Sequence, residues 1–301
     1  MDVLAAMRTF VAIVDSGSLT AAAELLDRSQ PSVVRSLAAL ETHLDTRLLQ
    51  RTTRRMSLTP EGSDYLQRCR QIINDVDEAE RAAKQDDADP HGMVRITAPI
   101  QFGQMHVAPL MTRFIAAHPG ISVELLLLDR NVNLVDEGID LAVRIGPLQD
   151  SGMIALPVGE VRRVVCASPS LLDRVGTPEI PRQLSKRPCI RVRNLARAGT
   201  WSFRDGSRNV NVQVHGRFSC NQVGAAIDAC IDGVGFGQFL SYQVQSPLRD
   251  GRLRRVLSPF EIPALPVNIV YPDSRFATVR QRMLTRFLKE QIRERAFKAD
   301  R

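Results

Sequence analysis

Residues 18–55 read SLTAAAELLDRSQPSVVRSLAALETHLDTRLLQRTTRR, and they constrain the fold more tightly than any other stretch. A short alanine-rich helix is expected after Ser18, whose hydroxyl suits an N-cap. Asp27, Arg28 and Ser29 end it, and a second helix begins near Gln30 with Pro31 in the first turn, where a missing N–H costs nothing. In that second helix Val33, Leu37, Leu40 and Leu44 recur at spacings of four, three and four, which makes one face apolar. The other face offers Ser32 and Arg35 beside the small Ala38 and Ala39. Two helices joined by a tight turn, the second with an unbulky polar outer face, predict a helix-turn-helix that enters a major groove. Arg47, Arg51, Arg54 and Arg55 follow, with Thr52 and Thr53 between them. A hairpin wing on phosphates with an arginine tip in the minor groove has this composition. A small helical subdomain with a solvated arginine face is the alternative on charge alone.

Global charge adds little to that argument. The net charge is +7, but residues 1–57 carry seven arginines against six acids. Residues 58–89 sum to −5 and residues 90–301 to +11, so most of the surplus lies outside the reading head. The local cluster from Arg47 to Arg55 therefore carries the electrostatic case. At 301 residues two domains are expected. No apolar run approaches the roughly eighteen residues of a membrane span, and the amphipathic start (Leu4, Met7, Phe10 or Val11, Val14) is unlike a signal segment. A cytoplasmic protein with reduced thiols is the expectation.

Short blocks in one order carry a specific resemblance. They include Gly17-Ser18-Leu19-Thr20-Ala21-Ala22-Ala23, Ser29-Gln30-Pro31-Ser32-Val33, Arg51-Thr52-Thr53-Arg54-Arg55 and Leu58-Thr59-Pro60-Glu61-Gly62. Residues 1–58 closely resemble the winged helix-turn-helix DNA-binding domain of LysR-type transcriptional regulators. With the pattern of the residues, the resemblance implies contacts to double-stranded promoter DNA from Ser29, Gln30, Pro31, Ser32, Val34 and Arg35, and from Arg51, Arg54 and Arg55 in the wing. The family usually has Ser and Gln where this chain has Val34 and Ser36; Val34 can touch a thymine methyl but cannot hydrogen-bond a base edge.

Thr59-Pro60-Glu61 starts the next helix, with Thr as N-cap and Glu in the positive first turn, and periodicity carries it to residue 84. Tyr65, Cys69, Ile72, Val76, Ala79 and Ala83 form a heptad seam. That seam either packs on its own domain or, as the resemblance implies, pairs two subunits into a homodimer, with a homotetramer implied as well. Residues 85–92 (QDDADPHG) read as a hinge. From Met93 strands alternate with helices, which predicts an α/β domain with mainly parallel sheets. This span resembles the family's effector domain in Ala98-Pro99, Phe102-Gly103, Asp129-Arg130, Asp140-Leu141-Ala142, Arg144-Ile145-Gly146 and Cys166-Ala167-Ser168-Pro169. The resemblance adds two Rossmann-like half-domains, 93–165 with 267–301 and 166–266.

In open α/β sheets ligands sit beyond the carboxyl ends of strands, near helix N-termini. With the resemblance, this places a small-molecule effector on Thr97, Pro99, Gln101, Phe102, Arg144, Asn221 and Phe236. Arg144 either anchors an anionic effector or holds an internal carboxylate such as Asp129, and Asn221 either meets the effector or caps a helix. The family often has a proline where Leu240 stands. The glycines of Gly233-Val234-Gly235-Phe236-Gly237 read as sites of close strand approach rather than a dinucleotide fingerprint. Cys220 and Cys230 resemble, in separation, the paired thiols of peroxide-sensing relatives, but an intervening helix would hold them roughly 15 Å apart. There is no CxxC among the five cysteines, and the histidines are scattered, so no metal site is expected. No cofactor is expected either. GxSxG, Walker A and HExxH patterns are absent, which argues against an enzyme. The expectation is a homo-oligomeric, effector-controlled transcription regulator without membrane attachment. A cytoplasmic small-molecule binding protein with a vestigial helix-turn-helix is the alternative.

Overall fold

The computed structural model describes residues 1–51, 56–83, 90–130, 132–148, 152–193, 199–272 and 278–295. The chain divides into two compact units, Met1–Gly92 with Val135–Gly138, and Met93–Leu134 with Ile139–Arg301.

The first unit opens with α1 (Val3–Ser16), capped by the Asp2 carboxylate, which accepts from the Ala5 amide, and closed by Gly17 at φ +72°. Ser18 caps α2 (Leu19–Leu25) by accepting from the Ala21 amide at 3.1 Å, as its position predicts. The α2 end is a Schellman turn: Arg28 N–H bonds Ala23 O, Asp27 N–H bonds Glu24 O, and Asp27 takes φ +50°. The recognition helix α3 (Gln30–His43) ends the same way around Asp45, with Thr46 N–H on Glu41 O. Aspartate, whose short polar side chain tolerates the left-handed region, stands at both turns where glycine is the commoner choice. Strands β1 (Leu49–Arg51) and β2 (Met56–Leu58) pair antiparallel, Leu49 opposite Leu58. Helix α4 (Pro60–Ala83) follows. Phe10, Ile13, Val33, Leu37, Leu40 and Cys69 are fully buried in one core, so the first half of α4 belongs to the domain it follows.

The second unit holds two half-domains. In the first, β3 (Gly92–Ala98) runs into a helical segment made of α5 (Ile100–Phe102), a π-turn over Gly103–Val107 and α6 (Ala108–Ala117). Strands β4 (Ile121–Leu127), β5 (Leu141–Ile145) and β6 (Met153–Val161) follow. The chain crosses to the second half at β7 (Arg163–Ala167) and α7 (Pro169–Val175). There it forms β8 (Arg191–Val192), the hairpin β9 (Thr200–Asp205) and β10 (Arg208–Gln213), β11 (Ser219–Cys220), α8 (Val223–Ile231), β12 (Gly237–Leu240), α9 (Gln245–Arg249) and β13 (Arg254–Val256). It returns by β14 (Leu265–Pro272) and ends in α10 (Val279–Arg295).

The first-half sheet has the order β4-β3-β5-β14-β6. Only part of it is parallel, which corrects the expectation of mainly parallel sheets. β3 and β5 pair parallel, whereas β14 runs antiparallel to both β5 and β6. The reason is connectivity: β6 leaves this half and β14 re-enters it, so the two crossing strands must oppose each other. In the second half β7 lies between β12 and β13, antiparallel to both. β6 carries Pro157 and Gly159; its place at the sheet edge, with a register shift opposite Val267–Asn268, is where a strand proline is tolerated. Trp201 is buried in the second-half core, as expected of the single tryptophan.

Candidate nucleic-acid interface and effector cleft

α3 separates its faces cleanly. Val33, Leu37 and Leu40 have zero exposure, while Gln30, Pro31, Arg35, Ala38 and Ala39 are exposed and Ser32 and Val34 half-buried. Ser29 holds the N-cap position, but its side chain makes no capping bond, so the exposed hydroxyl remains a donor at the start of the helix. The α3 carboxyl end is tied to the wing. The Glu41 Oε1 accepts from the amides of Leu48 at 2.8 Å and Leu49 at 3.1 Å, which sets where the hairpin leaves the helix. Arg51 is the last described residue of β1, and the wing tip with Arg54 and Arg55 lies outside the described residues. A shallow depression of about 540 Å³ opens beside the head of α3, lined by Thr20, Glu24, Asp27, Arg28, Ser29 and Gln30 among others. Thr20 and Arg28 are exposed on its rim. Sequence reasoning passed over Arg28 because it took that residue only as part of a helix break; its place in a turn leading into the recognition helix was the available signal.

Thr59 locks α4 onto the wing. Its hydroxyl accepts from the Gly62 amide at 2.8 Å and donates to Arg47 O at 2.7 Å. A Cβ on Gly62 would stand 2.0 Å from Leu48 O, so only glycine lets α4 start this close to the strand. Arg8 with Asp77 and Arg70 with Asp15 pair α1 to α4 on the surface. The seam residues divide: Cys69 is fully buried and Tyr65 packs on the domain core, its ring 6.1 Å from Phe10, whereas Ile72 is 41% exposed. Burial pushes Tyr65 up to about 12 and the Cys69 thiol up to about 11.

In the effector unit, the predicted cleft residues fall into different roles. Pro99 precedes α5 at the end of β3, and the Asp129 carboxylate accepts from the Ile100 amide at 3.0 Å. Thr97 is buried and donates to Leu126 O at 2.8 Å, a bond that pins β3 to β4. Phe102 is fully buried; its ring lies 4.8 Å from His106 and 5.2 Å from Tyr242, the latter edge-on. Tyr242 thereby sends a second-half side chain into the first-half core. Gln101 keeps its Oε1 buried with no partner, and so does His106 its Nε2. The Arg144 guanidinium donates to Val132 O at 3.0 Å and Arg130 O at 3.3 Å, bracing the loop after β4, while Asp129 is occupied by α5. Asn221 is exposed; Gln222, not Asn221, holds the cap position of α8, because the helix starts one residue later than its sequence suggests. Phe236 is fully buried in the second-half core with the Arg187 guanidinium 5.8 Å above its ring. The neighbouring glycines serve close approach: a Cβ on Gly235 would stand 2.8 Å from Pro188 O.

Cys69, Cys166, Cys189 and Cys230 are buried, and Cys220 is half-buried. Burial pushes Cys189 and Cys230 up to about 12 and raises Cys166 further still. α8 is intact between Cys220 and Cys230, and both are free. Among the described residues no group of three or more His, Cys, Asp or Glu could hold a metal ion, and no helix is long and apolar enough to cross a membrane.

Comparison with known proteins decides the family. Residues 4–63 match the family model of the bacterial regulatory helix-turn-helix protein, lysR family, and residues 87–293 match the LysR substrate binding domain. The chain belongs to the LysR family of transcriptional regulators. This regulator is 35% identical over 299 residues to an HTH-type transcriptional repressor of Pseudomonas aeruginosa, covering 98% of this chain and 93% of that one. It is 33% identical over 291 residues to the regulator PtxR of the same species, covering 96% and 93%. Among solved structures it resembles CrgA, a LysR-type regulator from Neisseria meningitidis, at TM-score 0.60 and 28% identity, covering 95% of this chain and 98% of that one. The full-length Vibrio cholerae virulence activator AphB shares the fold at TM-score 0.60 and 23% identity, with 95% and 98% covered. The family is one of transcription regulators, not enzymes, and the two-lobed effector domain follows its architecture.

Proposed function

We propose that this regulator reads its operator with the exposed edge of α3 and that a small molecule seated between the two effector half-domains controls its DNA binding or bending. The carrying observation is the face of α3: Gln30, Pro31 and Arg35 stand exposed beside Ala38 and Ala39, on a helix whose other side is locked into the core. Small residues flanking one arginine allow close approach to a groove floor and leave Arg35 to donate to a guanine edge. Arg51, Arg54 and Arg55 then lie on the backbone and in the minor groove. On the effector side the reading rests on buried polar atoms without partners. Among the described residues all four such atoms, Gln101 Oε1, His106 Nε2, Arg163 Nε and Arg191 Nε, sit in the effector unit. Native interiors rarely leave such atoms unpaired, and a ligand supplies what the protein does not. Pro99, Gln101 and Asn221 border the cleft in this reading; Thr97, Phe102 and Phe236 shape its walls, and Arg144 holds its loop. Two subunits pair through α4, and effector binding shifts an equilibrium between subunit arrangements.

The test is DNA binding by the full chain to the region upstream of its own gene, with a salt series. Affinity should fall steeply with salt because phosphate contacts release counterions. Arg35→Ala should cost about 1–3 kcal/mol on the operator and blur its sequence preference. Arg54→Ala should weaken binding to all sequences evenly. Equal, small losses from both would show that α3 is not the reading element.

A further inference from the structure

Two arginines of the second half-domain each have an enclosed Nε with no hydrogen-bond partner among the described residues. Arg163 opens β7 and is half-buried; its side-chain Nε is enclosed and has no hydrogen-bond partner among the described residues. Arg191 in β8 is in the same condition. Two exposed second-half arginines do have partners: Arg174 donates to Gly233 O, and Arg255 pairs with Glu261. Arg163 and Arg191 share one sheet face. Cys189 is bridged to Phe236 in parallel, with both side chains in one core, so alternation brings Arg191 and Gln238 to that same side two residues later. Across β12, Gln238 is opposite Val165 and Leu240 opposite Arg163, which puts Arg163 on that side too. Arg191 Cδ would lie 3.8 Å from a Cβ on Gly199, which agrees with this facing because Val214 O of the same core borders Gly199. Leu240, beside Arg163, packs against the first-half core, so this is the end of the sheet that meets the first half.

We infer that Arg163 and Arg191 together hold the oxyanion groups of a small dianionic molecule, a dicarboxylate or a phosphate ester, on the second-half wall of the effector cleft. The inference deepens the proposed control by a small molecule and rests on it for the site being regulatory. Guanidinium forks match carboxylate and phosphate bidentately, and two of them two strands apart, about 10 Å laterally, suit an anion with two ends better than a compact one. A buried cation without a counter-charge is unfavourable for the fold, and function is the usual reason for keeping one. Burial accordingly holds the Arg163 guanidinium below its ordinary range, and no carboxylate offsets it.

Full-length protein is titrated calorimetrically at constant ionic strength with succinate, glutarate, glycerol 3-phosphate, inorganic phosphate and acetate. At least one dianion should bind saturably and more tightly than acetate. Arg163→Met and Arg191→Met should each weaken it tenfold or more, Arg163→Lys should recover part of the loss, and the exposed control Arg208→Met should lose none. Dicarboxylate and phosphate arms separate the two sources of the anion. Both Met variants should also melt no lower than the parent, because among the described residues neither arginine's Nε has a hydrogen bond to lose. The site is overturned if no dianion binds above acetate, if binding survives both substitutions, or if either Met variant fails to fold. DNA binding of the parent is measured alongside: its absence with anion binding intact sinks the regulatory reading and leaves the site, and the reverse result sinks the site alone.

Discussion

At the scale of single residues, the most consequential positions are polar groups whose surroundings do not answer them. His106 sits between Phe102 and Tyr242, its Nε2 enclosed and unpaired, and burial holds its pKa below the ordinary 6.5. The unfolded chain therefore takes up a proton as pH falls through 6.5 while the folded protein does not, and stability is lost on acidification below that value. Thermal melts of the parent should show a falling melting temperature from neutral pH toward about 5, where an ordinary histidine is protonated. His106→Phe, which keeps a ring in the cluster, should flatten that dependence. An unchanged slope in the variant would mean that other groups carry it. Asp129 acts electrostatically on Tyr242 of this cluster, and its carboxylate accepts from the Ile100 amide.

At the scale of elements, the start of α4 decides how the wing is presented. Thr59 does three things at once: it caps the helix through Gly62 N–H and reaches back to the carbonyls of Arg47 and Leu48. Thr59→Ala should cost about 0.5–2 kcal/mol as a lost N-cap, and denaturant melts of the DNA-binding unit should resolve that. Thr59→Ser should restore most of it. Gly62→Ala should cost more, because its methyl would have to enter the space of the Leu48 carbonyl and α4 would have to move away from β1. A Gly62→Ala protein as stable as the parent would show that α4 does not start as described.

At the scale of the whole molecule, the first part of α4 belongs to its own domain, while Ile72 and Val76 beyond it are not enclosed in that core. Cys69 and Leu66 are committed to the core, and Ile73 packs against it. Ile72 is exposed and Val76 half-buried, and we propose that they meet a second copy of the helix. Replacing Ile72 and Val76 together with Asp should break the assembly, since charge buried in a helix seam costs several kcal/mol. Sedimentation should then find a smaller species whose effector unit still melts cooperatively, and operator affinity should collapse because one half-site alone is held weakly. An unchanged sedimentation coefficient would retire the seam. Cys69→Asp should behave differently and unfold the DNA-binding unit itself, since Cys69 is already fully enclosed within it.

The sequence by itself determined the helix-turn-helix, because its signals are local. The Ser18 cap, Pro31 in the first turn, the Val33–Leu37–Leu40 spacing and the Thr59-Pro60-Glu61 start all act within a few residues of chain, and each is found where its chemistry puts it. Tertiary structure decided what depends on partners far along the chain. β6 is a strand only because β14 pairs with it from Leu265 to Pro272, and no periodicity in Met153–Val161 announces that. The occupation of Arg144 by the Arg130 and Val132 carbonyls, and the lack of a hydrogen bond to the Arg163 and Arg191 Nε among the described residues, follow from which loops and strands the fold brings beside them. A sequence states that an arginine is present; whether its charge is answered from within depends on three-dimensional neighbours, and that decides whether it holds the fold or waits for a ligand.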